Sequence, residues 1–136
     1  MKTNLQRDKI VAVANYLVTN YPDQIDDHIK VQKILYFLDW DYKQKTGHLL
    51  FNEQFEAWVY GPVNRRIFAL MKNNDLVFTT SYKLSEKEEK FIKKDVKKYL
   101  DCPSFDLVTL SHQSQPWIEA RKGLSTYEPS RKKIRL

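Results

Sequence analysis

Apolar residues recur at helical spacing through Ile10, Val13, Ala14, Leu17 and Tyr21, and the run halts at Pro22. This predicts a first helix from about Asn4 to Asn20. A second stripe, Val31, Ile34, Leu35, Leu38 and Tyr42, follows the capping candidates Asp26 and Asp27 and ends before Gly47, which predicts a second helix with defined ends. The period then changes. Phe55, Ala57 and Val59 alternate with Glu56, Trp58 and Tyr60, the pattern of a short extended segment with two usable faces. It runs into the chain's only Gly-Pro step, Gly61-Pro62. Gly61 tolerates unusual backbone angles and Pro62 suits the first position of a helix, so a strand is expected to turn a sharp corner into a helix. Leu49-Leu50-Phe51 and the strand from Phe55 to Tyr60 flank the polar Asn52-Glu53-Gln54, and their pairing as a small hairpin is the reading of that stretch.

Val63, Ile67, Leu70 and Met71 predict a third helix that stops at Asn73-Asn74-Asp75, followed by an extended segment from Leu76 to Tyr82. Ser85 and Glu88 have the spacing of a capping box, and Phe91, Ile92, Val96, Tyr99 and Leu100 supply the inward face of the next helix before Pro103 ends it. Ser104 then caps a short helix bearing Leu107, Val108 and Leu110, and Pro116 starts a last one that Gly123 closes. The expected fold is mainly α, a single compact domain of about five to six helices with a minor β-hairpin or short strand. The expected boundaries are residues 1–125 for the domain and 126–136 for either a loosely held basic tail or the start of a final helix.

Composition narrows the class. At 136 residues the chain can bury a core without metals or disulfides, and its single cysteine, Cys102, has no internal partner. No N-terminal apolar run resembles a signal peptide or a membrane span, so a soluble cytoplasmic protein is expected. The net charge of +6 is uneven: residues 1–60 hold 7 basic and 8 acidic side chains, residues 61–136 hold 16 and 9. Such a basic half attracts nucleic acid or an acidic protein. Between residues 83 and 98, however, the lysines alternate with Glu86, Glu88, Glu89 and Asp95, and a solvated helix face is the simpler reading.

The search for chemistry returns little. His28, His48 and His112 fall in different elements without metal-ligand spacing. Asp39 and Asp41 diverge by ~200° around a helix at ~100° per residue, so they cannot work as a facing acid/base pair and read as surface residues. Gly47, Gly61 and Gly123 form no phosphate-cradling loop. No metal or cofactor is expected. The run Leu110-Ser111-His112-Gln113-Ser114-Gln115-Pro116-Trp117 has the residue types of a Ser/His site. With no orienting carboxylate or oxyanion loop, capping of helix ends by Ser111, His112 and Ser114 is favoured over catalysis.

Three stretches together resemble the Panacea-domain family, which includes SocA-like antitoxins. Val31-Gln32-Lys33-Ile34-Leu35-Tyr36-Phe37 resembles the family's Lys-Leu-Gln-Lys-Leu-Leu-Tyr helix motif. Leu50-Phe51 with Phe55 to Val63 resembles its most recognisable segment, and Leu110-Ser111-His112 with Pro116-Trp117 is similar to its Leu-Thr-His and Pro-Trp elements. Order and separation match over roughly residues 5–125. Ser114 stands where many relatives have a glutamate, Val31 replaces a leucine, and relatives often continue beyond Tyr127-Glu128-Pro129 into a final helix. The resemblance implies an antitoxin that neutralises a co-encoded toxin by direct binding, and in the SocA-like branch an adaptor that delivers the toxin to an AAA+ protease. Its motif residues, expected to be the partner-binding set, are Gln32, Lys33 and Tyr36; Trp58, Tyr60, Gly61, Pro62 and Val63; and His112, Pro116 and Trp117.

Aromatics on a rigid backbone make good binding hot spots, which agrees with an interaction protein that has no active site. Two other readings stand beside it. One is nucleic-acid binding or autorepression by the basic half and the Arg131 to Arg135 tail; the other is a hydrolase or transferase using His112 with Ser111 or Ser114.

Overall fold

The structure, a computed structural model, describes the backbone of residues 2–72, 80 and 82–136 and the side chains from residue 8 onward. Helix α1 spans Lys2–Asn20 and ends where Pro22 removes the next donor. Helix α2 spans His28–Thr46. Asp27 caps it by accepting from the Lys30 amide at 2.7 Å, and Gly47, in the left-handed region at φ 81°, closes it.

The sequence from Lys30 to Asp39 is buried without interruption, because α2 is packed by α1, α3, α4, α5 and the strand pair rather than by one neighbour. A helix covered on all sides must satisfy its polar side chains internally. Asp39, read from the sequence as a surface residue, is 1 % exposed. Its Oδ1 accepts from the amides of Leu50 and Phe51 at 2.7 and 3.2 Å. Burial pushes this carboxyl up to about 6, against the lowering effect of those two backbone bonds.

The same bonds correct the expected hairpin. Leu50 and Phe51 are drawn onto α2 with their side chains in the core, so they are not available to pair as a strand. Strand β1 (Glu56–Trp58) instead pairs antiparallel with β2 (Gly61–Val63), in the register Glu56↔Val63, Ala57↔Pro62 and Trp58↔Gly61. Val59 and Tyr60 form the two-residue turn. Pro62 therefore lies in a strand, not at a helix start. Asn64 caps α3 (Arg65–Met71) by accepting from the Ile67 amide at 3.0 Å. The expected helix stop at residues 73–75 and most of the extended segment 76–82 lie outside the described residues.

Helix α4 (Glu86–Asp95) begins with the capping box of Ser85 and Glu88, continues into a 3₁₀ turn at Val96–Lys98, and turns Lys87, Lys90, Lys93 and Lys94 to solvent. Helices α5 (Ser104–His112) and α6 (Gln115–Ala120) complete a mainly helical fold with one small antiparallel sheet. The C-terminal segment is neither loose nor helical. Ala57 donates to the Lys132 carbonyl at 2.9 Å and Ile134 donates to the Phe55 carbonyl at 2.8 Å, so residues 132–134 lie along the edge of β1. Ile134, 2 % exposed, joins the core. Among the described residues no helix is long and apolar enough to cross a membrane.

Candidate functional site

The β1–β2 hairpin is gripped from below by α2 and from the side by α5 and α6. Gln32 holds Asn64 by both ends of its amide, donating to the Asn64 carbonyl at 3.0 Å and accepting from its amide at 2.8 Å. One residue on, the Lys33 ammonium donates to the Pro62 carbonyl at 3.0 Å. Gly61, at φ 107°, sits so close to this lysine that a Cβ there would lie 2.6 Å from Lys33 Cε and 2.6 Å from Ser111 Oγ. Glycine is required at this position for both its backbone angle and its missing side chain. Lys33 is 2 % exposed, and loss of hydration lowers its pKa to about 7, with the Asp27 charge opposing.

The side brace is aromatic and cationic. Trp117 donates its indole N–H to the Trp58 carbonyl at 3.1 Å, and the His112 ring stacks on Trp117 at 4.2 Å between centroids. Arg121 lies over the same Trp117 ring, 5.4 Å from its centroid, and donates to the Ala57 carbonyl at 2.8 Å. Its second terminal nitrogen donates to the carbonyls of Ser125 and Glu128 at 3.1 and 2.6 Å, so one guanidinium ties β1 to the turn that precedes the C-terminal segment. Arg121 escaped the sequence reading. Its spacing of four from Trp117 on a helix is the signal that points to it.

The Ser/His run is built for support. Ser111 donates to the Val108 carbonyl at 2.7 Å and Ser114 to the Ser111 carbonyl at 2.6 Å; Ser114 also meets the Tyr36 hydroxyl at 2.8 Å. Both hydroxyls are committed to neighbours other than the imidazole, so the nucleophile–base hydrogen bond of a Ser/His pair is not formed. Burial first, then the positive charges of Lys33 and Arg121, lower the His112 pKa, while a backbone hydrogen bond at Val59 opposes them. No group of three or more metal-ligand side chains occurs among the described residues.

Of the sequence-predicted set, Gln32, Lys33, Tyr36, Gly61, Pro62 and Val63 are buried. They form the base on which the turn stands. Trp58, His112, Pro116 and Trp117 are half-buried, and only Tyr60, at 63 % exposure, projects fully into solvent. All belong to one connected region, yet most of them shape the surface instead of forming it. Trp58 is typical: its ring packs on Phe68 at 5.1 Å and its N–H bonds Glu56 at 2.8 Å. Glu56, placed by the sequence on one face of the extended segment with Trp58 and Tyr60, is not among the expected site residues. It is 1 % exposed and is neutralised by Lys133 at 3.2 Å and Arg65 at 3.7 Å.

No curated protein and no solved structure matches the chain. A family description does match, over residues 31–118, the stretch that contains most of α2, the hairpin and Trp117. By that match over about two thirds of its length, the chain belongs to the family described as antitoxin SocA-like, Panacea domain.

Proposed function

We propose that the chain is an antitoxin that neutralises a co-encoded toxin by direct protein–protein contact at the hairpin tip. The observation that carries this reading is the contrast between base and tip. A base of buried polar bonds from Gln32, Lys33 and Arg121 holds a turn whose Tyr60 is 63 % exposed. A large aromatic ring on a fixed backbone loses little entropy on binding, which is the physical requirement for a hot spot. Family membership supports an antitoxin role, and the hydrogen bonds of Ser111 and Ser114 to neighbouring carbonyls favour a structural part for the Ser/His run.

The test is co-expression with the toxin encoded beside this chain. Growth rescue together with co-purification of the pair is the expected outcome; absence of both sinks the reading. Delivery to an AAA+ protease is the form of neutralisation suggested by the SocA-like likeness alone. A toxin half-life that shortens when the chain is present supports that arm, and an unchanged half-life with full rescue removes it. The basic excess of residues 61–136 favours nucleic-acid binding as the second reading, with steep salt dependence as its signature.

A further inference from the structure

We propose that the cleft beside the hairpin tip receives an acidic segment of the toxin anchored by one apolar side chain; this rests on the antitoxin reading. The cleft, about 330 Å³, opens between the hairpin and the returning C-terminal segment, with walls from Trp58, Val59, Tyr60, Val63, Pro129 and Arg131. Its volume admits a single large side chain, and its walls are mainly aromatic and aliphatic, with Ser130 and Arg131 on the C-terminal side. Trp58 is held in place by Phe68 and Glu56, so this wall is preformed.

Charge selects the partner. From residue 121 to the last residue the chain carries six basic side chains, Arg121, Lys122, Arg131, Lys132, Lys133 and Arg135, against one acidic, Glu128. Arg121 is buried in the brace, and Lys133 is engaged with Glu56. Arg131 is exposed at the mouth of the cleft and takes part in none of the ion pairs formed among the described residues. Lys132 and Arg135, exposed further along the same segment, line a separate cavity with Glu119, so Arg131 is the cation of this cleft. Glu56, the one carboxylate in β1, is buried and neutralised, so it does not offset Arg131. An apolar cleft with one exposed arginine on its wall, on a segment rich in basic side chains, favours a partner segment with a carboxylate beside an apolar anchor. A nucleic acid satisfies Arg131 but leaves the concave apolar wall unfilled. With Trp58 covered by Phe68, Tyr60 is the sole fully exposed ring of the cleft, whereas strand-tracking proteins stack successive bases on several.

A photo-crosslinking amino acid at position 60 of the full chain, co-expressed with the neighbouring toxin, tests this directly. Mass spectrometry is expected to place the crosslink on a toxin segment containing Asp or Glu around an apolar residue. A parallel binding titration should show Arg131→Glu weakening the complex about tenfold or more at low salt, with Lys94→Glu on the far solvated face of α4 leaving it unchanged. The melting temperature of Arg131→Glu should equal that of the parent, since this exposed side chain makes no ion pair among the described residues. If the unmodified pair co-purifies but position 60 crosslinks to a basic or neutral segment, or to nucleic acid, the cleft assignment is overturned while the antitoxin reading survives. Equal affinity of Arg131→Glu and parent overturns the acidic-segment assignment in the same way. Failure of the unmodified pair to associate defeats the antitoxin reading itself.

Discussion

The ammonium of Lys33 in the middle of α2 donates to the carbonyl of Pro62 at 3.0 Å, 29 residues further along the chain. This bond joins the central helix to the second strand of the hairpin at the point where Gly61 leaves no room for a side chain. It sets an internal lysine, normally a solvated residue, to structural work, and burial lowers its pKa to about 7.

Stability should accordingly carry a Lys33 signature in pH. Between about pH 7 and the unfolded value of 10.5 the unfolded chain binds the proton more tightly, so the contribution of this group to stability rises with pH across that window. Below about pH 7 both states are protonated and the desolvation cost stays constant. Urea midpoints at pH 7 and pH 9 should therefore rise more steeply for the parent than for Lys33→Met, which has no proton to release. Parallel slopes in the two proteins would rule this out.

Gly61→Ala should be far more damaging than Gly47→Ala. Both glycines have positive φ, but a Cβ at Gly47 meets nothing within 4 Å, whereas at Gly61 it meets Lys33 and Ser111 at 2.6 Å each. The angle alone costs about 1–2 kcal/mol at either site, and overpacking adds about 1–3 kcal/mol at Gly61. Equal denaturation midpoints for the two variants would show that the hairpin can move away from α2.

Arg121→Lys should destabilise by about 1–3 kcal/mol despite keeping the charge, because an ammonium cannot span the Ala57, Ser125 and Glu128 carbonyls from one planar fork. Hydrogen exchange should report the loss locally, with faster exchange at Ala57 and Ile134 than at α4 amides. Uniform acceleration across the chain would instead mean that Arg121 supports the whole fold evenly.

Asp95 provides a second pH test on the opposite side of α2. Desolvation and the neighbouring Asp41 raise its pKa to about 7, while Lys98 at 2.9 Å works against them. Tyr99 donates to Asp41, which keeps the second carboxylate in place. Between about pH 4 and pH 7 the folded state holds the proton more tightly, so this group's contribution falls as pH rises through that window and stays low above it. Asp95→Asn retains a donor toward Asp41, so it should gain stability relative to the parent from pH 5 to pH 8. A constant difference over that range would show that the two carboxyls do not share a proton.

Much of the helical framework is legible without coordinates. The stripe from Val31 to Tyr42, the Asp27 cap and the Gly47 stop each belong to α2 as found, and the Ser85–Glu88 box opens α4. These are local signals: the residues that specify the helix are within a turn of the bonds they make. The recurrence of Trp58, Tyr60 and Gly61-Pro62 with Trp117 also marks the region that becomes the hairpin and its brace.

Tertiary structure alone decides which of these residues lie outside. Lys33, Asp39, Glu56 and Arg121 carry charges that from sequence suggest solvent, but α2 is enclosed on several sides, and each of the four meets partners far along the chain. The pairing of β1 with β2 instead of with Leu50-Phe51 follows from Asp39 capturing the two amides at those positions. The C-terminal segment shows the limit most clearly. Its basic side chains indicate a solvated tail, yet strand pairing uses backbone groups that every residue but proline offers in full, and the edge of β1 binds Lys132 and Ile134 through their backbones. Periodicity and caps are encoded locally, whereas burial of a charge depends on whether a distant segment arrives to satisfy it.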